Sequence, residues 1–397
     1  MSIEDAAMTD TIASVKQRLF ALNRKLPMRR QRIVYNAGQS GIEPLADSVT
    51  LGGAGVIRDG SAKLDVLIAD LTEAEQAELD LELLEAIKHG RVDDIRGLVN
   101  EGANIECRDE YRDTVLMRSV RSGHSECLQL LLEVGSDKDA RNNGETAMTL
   151  AARVDDYECV RLLLDAGADK EANADCDYGA LMCAASFGSS DCLLLLLEAG
   201  GNMEARDQFG QTALMKATMH SFPRCVRLLL EAGADPNAQD FDGNAALTLS
   251  LVRSPDNSSK RNRIECMRLL LERGANANSR NHLGYAMLTS AAVCDQTEDL
   301  RLLLQNGADV NATDRNDGMT ALMCAASLGH TDSVRFLLES GADKDIKDCQ
   351  GLTAMAYARR RHSQSVISLL LGNQKATMSA NYASSCTRIF FGSRSKK

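Results

Sequence analysis

The chain has 397 residues, 44% of them hydrophobic, with a net charge of −11 and a pI near 5.2. Its apolar runs are short, Leu193–Leu197 being one turn and a half of helix, against the roughly 20 residues that cross a membrane. The start, with Glu4, Asp5 and Asp10, lacks the basic region and apolar core of a secretory signal, so a cytoplasmic or nuclear protein is expected.

From Thr11 to Gly41 seven basic residues, Lys16, Arg18, Arg24, Lys25, Arg29, Arg30 and Arg32, stand without a single acid. Ile12, Val15, Leu19, Leu22 and Leu26 recur at 3,4,3,4 spacing. That pattern predicts a basic amphipathic helix ending at Pro27, inside a non-repeat, partly disordered region over residues 1–71. Such a helix suits an acidic partner, an anionic membrane surface, or the first unit of whatever follows it. Thr72 with Glu75 reads as a capping box that opens the next helix, running into Leu83, Leu84 and Ile87.

Over residues 72–372 a unit of about 33 residues recurs about nine times. The residue opening each unit's first helix is Leu81, Thr114, Thr146, Gly179, Thr212, Ala245, Ala286, Thr320 and Thr353, at intervals of 33, 32, 33, 33, 33, 41, 34 and 33. An apolar residue follows two positions later, as in Leu116, Leu181 and Leu322, and a small one five positions later, as in Ala151, Ala184, Ala217 and Ala325. Small side chains let helices approach closely, and the Leu runs Leu130–Leu132, Leu162–Leu164, Leu195–Leu197 and Leu228–Leu230 supply a second apolar helix. Two short helices cannot bury their apolar faces alone, so the units must stack. After each second helix, Gly167-Ala168-Asp169 and its variants place a left-handed glycine at the helix end and a polar turn behind it.

This period, with Thr212-Ala213-Leu214-Met215 and Thr320-Ala321-Leu322-Met323, resembles the ankyrin repeat, whose unit carries Thr-Pro-Leu-His. Ala and Met stand where the family has Pro and His, which is expected to loosen each helix start by a few tenths of a kcal/mol. The resemblance implies an all-α repeat solenoid of stacked helix-turn-helix units joined by β-hairpin-like loops. It also implies that His124 and His330, each following a Gly, tie the inter-helix turn. The sixth unit carries about eight extra residues, Ser254 to Arg261, read as a solvent loop with Ser254 a possible phosphate acceptor.

Of twelve cysteines, Cys127, Cys159, Cys192, Cys225 and Cys266 hold one repeat position. Stacked units lie roughly 8–10 Å apart, too far for a disulfide, and no Cys-x-x-Cys or His cluster completes a metal site, so buried thiols are expected. Gly52-Gly53-Ala54-Gly55 lacks the Lys of a phosphate loop, and nothing in the pattern pairs His124 or His330 with an activated nucleophile. No cofactor, metal or catalytic residue is assigned, and a non-enzyme is expected.

In proteins that resemble this chain, partners meet the hairpin tips, the residue before the opening position, and those seven and eight after it. Those offsets give charged and polar positions, among them Tyr111, Asp113, Arg121, Asn142 and Arg153, and an apolar group of Tyr178, Phe187, Phe209, Met219, Phe241, Leu283 and Tyr285. Aromatic anchors carry most of an interface's free energy, so this group is the candidate partner-binding face of a monomeric scaffold or adaptor. A regulatory subunit of an enzyme complex, and a membrane-apposed tether acting through the basic segment, stay open. The net charge near −13 from Leu81 to Gly372 opposes phosphate backbones, so nucleic acid is not an expected partner. The resemblance also marks Asn237, Asn278 and Asn311 as positions hydroxylated in some members of the family. Residues 373–397 form a basic flexible tail with Ile389-Phe390-Phe391 as a candidate docking motif.

Overall fold

The fold is built from helix pairs whose starts and stops are set locally. The computed structural model describes residues 31–36, 42–44, 64–68, 73–172, 178–251 and 257–372. The basic segment over residues 11–30, Thr72, Asp175, Cys176, Ser254 and the tail after Gly372 lie outside them.

Three opening threonines cap their helices directly. Thr114 Oγ1 accepts from the Met117 N–H at 3.3 Å, and Thr320 Oγ1 from that of Met323 at 3.3 Å. In the Thr146 unit the box is reciprocal: Thr146 Oγ1 accepts from the Thr149 N–H at 3.2 Å, while Thr149 Oγ1 accepts from the Thr146 N–H at 2.9 Å. Here Thr149 takes the place of the family's His. At Gly179, Ala245 and Ala286 the backbone is equally extended but no side chain caps the helix.

Among the described residues the first compact unit, Met1–Gln208, contains four helix pairs. They are α1 (Glu73–Lys88) with α2 (Val92–Glu101), α3 (Val115–Ser122) with α4 (Ser125–Glu133), α5 (Ala147–Val154) with α6 (Tyr157–Asp165), and α7 (Ala180–Phe187) with α8 (Ser190–Glu198). First helices pack on first helices, α1 on α3 on α5 on α7, and second on second, α2 on α4 on α6 on α8. The second unit, Phe209–Lys397, contains five more: α9 (Ala213–Met219) with α10 (Pro223–Ala232), α11 (Ala246–Leu249) with α12 (Asn257–Glu272), α13 (Met287–Val293) with α14 (Thr297–Gln305), α15 (Ala321–Leu328) with α16 (Thr331–Glu339), and α17 (Ala354–Arg361) with α18 (Gln364–Leu370). There α10, α12, α14, α16 and α18 stack in order. Among the described residues eighteen helices match nine units, and none of them is long and apolar enough to cross a membrane.

The core follows the repeat. The small residues Ala151, Ala184, Ala217, Ala291 and Ala325 are fully buried, as are Leu131, Leu163, Leu196, Leu229, Leu270, Leu303 and Leu337 on the second helices. Truncating any of these leucines to Ala costs about 2–5 kcal/mol. Cys127, Cys159, Cys192, Cys225 and Cys266 are free thiols with no exposed surface, and burial pushes Cys266 up to about 12.

The hairpin-like loops reduce to single bridges, Arg108 with Thr114, Gln239 with Ala245, and Arg280 with Ala286. Each tip is folded around one side-chain oxygen five residues before the helix start. Asp240 Oδ1 accepts from the N–H groups of Asp242 and Asn244 at 3.0 and 2.8 Å, and Asn281 Oδ1 accepts from those of Leu283 and Tyr285 at 3.0 and 3.1 Å.

Histidine does more than close a turn. His124 Nε2 lies 3.3 Å from the Lys88 carbonyl oxygen and His330 Nε2 lies 3.2 Å from that of Val293, so each ties its unit to the preceding one. The His124 ring sits so close to Gly90 that a Cβ there would lie 2.8 Å from it, and Gly90 also has φ 69°. Only glycine satisfies both conditions.

One expectation is revised and one element is added. The eight extra residues of the sixth unit are not all loop, because α12 begins at Asn257 and runs 16 residues. Its buried Arg263 makes two bonds to Asp299 at 2.7 and 2.9 Å, a tertiary contact that extends the helix. Before the array, β1 (Gln31–Asn36), β2 (Ile42–Pro44) and β3 (Leu64–Ile68) form an antiparallel sheet in the order β2-β1-β3, with Ile33 opposite Val66. The helix expected up to Pro27 lies outside the described residues, and the strand that follows it was not anticipated, though Ile33-Val34-Tyr35 was its signal in the sequence.

Candidate protein-binding face

Helix starts and hairpin tips place the candidate residues along the first-helix side of each compact unit. In the first unit the tips before α3 and α5 and the helices α3, α5 and α7 enclose a groove of ≈ 490 Å³. Its walls include Tyr111, Tyr178 and Phe187, with Phe187 56% exposed and Tyr178 half-buried.

An ion network forms the groove floor. Arg121 pairs with the buried carboxylate of Asp113 and lies 3.5 Å from Glu145, which Arg153 holds at 2.5 Å. Asn142 Nδ2 donates to Asp113 Oδ1 at 2.7 Å and to the Tyr111 carbonyl at 3.0 Å, so the buried Asp113 carboxylate is not left unpaired. Burial, with Glu145 nearby, pushes the Cys183 thiol up to about 12, which makes it a packing group here. Glu145 was missed in the sequence. Its signal was an acid just before the helix start and an Arg eight residues later, a spacing shared by Asp113 with Arg121 and Glu145 with Arg153.

In the second unit the exposed groups are apolar hairpin tips. Phe241 is 74% exposed, Phe209 57% and Leu283 53%. Phe209 and Phe241 sit on consecutive tips joined by the Phe241 N–H bond to the Phe209 carbonyl at 3.1 Å. A Cβ on Gly210 would lie 2.7 Å from the Phe241 ring, and with φ 76° this position admits glycine alone. Lys216 Nζ lies 5.9 Å from the Phe209 ring centroid, within cation–π range. Met219 is half-buried, and so is Tyr285, which was expected in the open. Tyr285 stands directly before the helix start, the position at which Asp113 and Asn244 are buried in other units.

Along the loops between units runs a ladder of side chains. In the first unit Glu106, Asp139 and Glu171 each accept an N–H from the loop of the following repeat, at 2.7, 2.8 and 2.9 Å, while Asp80 on α1 accepts that of Asn104 behind α2 at 2.9 Å. In the second, Asn237, Asn278 and Asn311 do so at 2.8 Å each. Asn237 and Asn278 also donate to the carbonyls of Gly274 and Gly307, at 3.0 and 3.1 Å. These asparagines thus serve as connectors between repeats.

The family described as ankyrin repeats (3 copies) matches residues 83–174, 171–240, 257–314 and 312–381. None of the curated proteins matches the chain. Among solved structures, the ankyrin repeat domain of Bcl-3, described as a unique member of the IkappaB protein family, is similar at 31% identity and a TM-score of 0.51, over 58% of this chain and 100% of that one.

Proposed function

Because the chain belongs to the ankyrin-repeat family, we propose that it is a non-catalytic scaffold or adaptor that binds partner proteins on the first-helix and hairpin-tip face of its array. The observation that carries the reading is the group of Phe209, Phe241 and Leu283, three large apolar side chains held more than half exposed on rigid tips. Such side chains gain most when a partner desolvates them, and a preformed tip limits the ordering cost. The groove of the first unit adds Tyr111 and Phe187 beside a neutralised ion network, which suits a polar rim around apolar contacts. The similarity to Bcl-3 supports an interaction role of the same general kind, with a cytoplasmic or nuclear setting and a monomeric array as parts of the proposal.

The test is quantitative affinity purification from the native cell with wild type and the Phe209→Ala, Phe241→Ala, Leu283→Ala variant. All three side chains are exposed, so the fold is retained, and partners of this face are lost about a hundredfold or more. An unchanged partner list with a preserved circular dichroism spectrum overturns the assignment of the face.

A further inference from the structure

The first helix pair has an open side. Among the described elements α3 and α4 pack on α1 and α2, while a groove of ≈ 590 Å³ runs between α1 and α2 themselves. Its floor is apolar: Ala86 is buried, Leu98 is half-buried, and Leu81 is 64% exposed. At Gly97 a Cβ would meet nothing within 4 Å, so the floor is unfilled. A stacked array leaves such a surface only at an end, and an end needs a cover.

The rim of this groove is acidic. Glu82, Asp93, Asp94 and Glu101 line it, and its one lining base, Arg91, is paired with Asp94 at 2.9 Å. Helices α1 and α2 together carry nine carboxylates against Lys88 and Arg96. The segment preceding them in the chain is the reverse, with seven bases and no acid between Thr11 and Gly41, and apolar residues at helical spacing from Ile12 to Leu26. A helix over residues 12–26 is roughly 22 Å long, close to the roughly 24 Å of the 16-residue α1.

We infer that residues 12–26 of this same chain dock as an amphipathic helix in the groove between α1 and α2, with Ile12, Val15, Leu19, Leu22 and Leu26 over Leu81 and Gly97 and the bases against the acidic rim. Tethering by residues 27–72 makes the contact intramolecular, so it is independent of protein concentration. Docking seals the amino-terminal end of the array and withholds the basic face from anionic membranes and acidic partners. This inference is independent of the proposed partner face on the hairpin tips.

Hydrogen–deuterium exchange of the full chain tests it, with the peptide of residues 1–30 giving the unprotected rate. The expected result is that amides of residues 12–26 exchange about tenfold or more slowly in the full chain than in the peptide, at every protein concentration. The Leu81→Arg, Asp93→Arg variant changes two exposed side chains, so the array stays folded, as protection of residues 116–120 will report. In it, residues 12–26 return to the peptide's rate. Exchange at the peptide's rate in the wild type overturns the inference. So does protection that survives the variant, which places the segment elsewhere, and so does protection that rises with concentration, which assigns the groove to a second copy.

Discussion

The two compact units use charge differently on the same repeat. In the first, the ladder between repeats is made of carboxylates, and a network in which Arg121, Glu145 and Arg153 reach solvent around the buried Asp113 lines a groove. In the second, the ladder is made of asparagines, the hairpin tips are apolar, and a charge pair, Arg263 with Asp299, is sealed inside at 5% and 0% side-chain exposure. Charge that water can screen is tolerant of substitution, whereas charge in the core must be matched bond for bond. The first unit therefore offers a polar groove and the second an apolar contact surface on an equally regular frame.

The comparison breaks most severely in the core. Leu229→Asp places a charge at a fully buried site of α10 and is expected to cost more than about 4 kcal/mol. Because stacking is nearest-neighbour, urea unfolding followed by circular dichroism should then show an early second-unit transition while first-unit cooperativity persists. Next comes Arg263→Ala, which strands the buried Asp299 carboxylate and costs about 3–5 kcal/mol. Burial already raises the Asp299 pKa against the opposing pull of Arg263, so protonation offers the variant partial relief at low pH. The first-unit counterpart, Arg153→Ala, breaks a pair whose side chains are 29% and 31% exposed and is expected to cost about 0–1 kcal/mol. Equal costs for the two would erase the distinction.

The ladder gives a finer test. Asn237→Asp removes the donor to Gly274 and sets a carboxylate against that carbonyl, costing about 1 kcal/mol, while Asp139→Asn is expected to stay within about 0.5 kcal/mol of wild type. Smallest is a gain. Asp155 and Ser221 occupy left-handed backbone at φ 59° and 60°, where other units use Gly123 and Gly188, so Ser221→Gly should raise stability by about 0.5 kcal/mol in thermal melts.

The helix pairs were legible because the repeat shows itself nine times over, and a periodic error in one unit is corrected by its neighbours. The exposed tips Phe209, Phe241 and Leu283 were legible too, since a hairpin tip has nothing behind it to bury them. Tyr285 was not, because the residue directly before a helix start packs against the array, as Asp113 and Asn244 do in other units. The helical start of α12 was hidden for the same kind of reason. Ser258, Ser259 and Lys260 look like loop, yet they belong to a helix whose Arg263 meets Asp299 thirty-six residues away.

The sequence by itself determined the fold, the number of units, the buried leucines and thiols, and the family, because each rests on period and local chemistry. Only the tertiary structure decided which acids meet which arginines, that the hairpin asparagines bind the next repeat, and that a groove with an acidic rim stands open between α1 and α2. Those depend on side chains from different repeats arriving at one place, and a distance of a few ångströms between units has no trace in spacing along the chain.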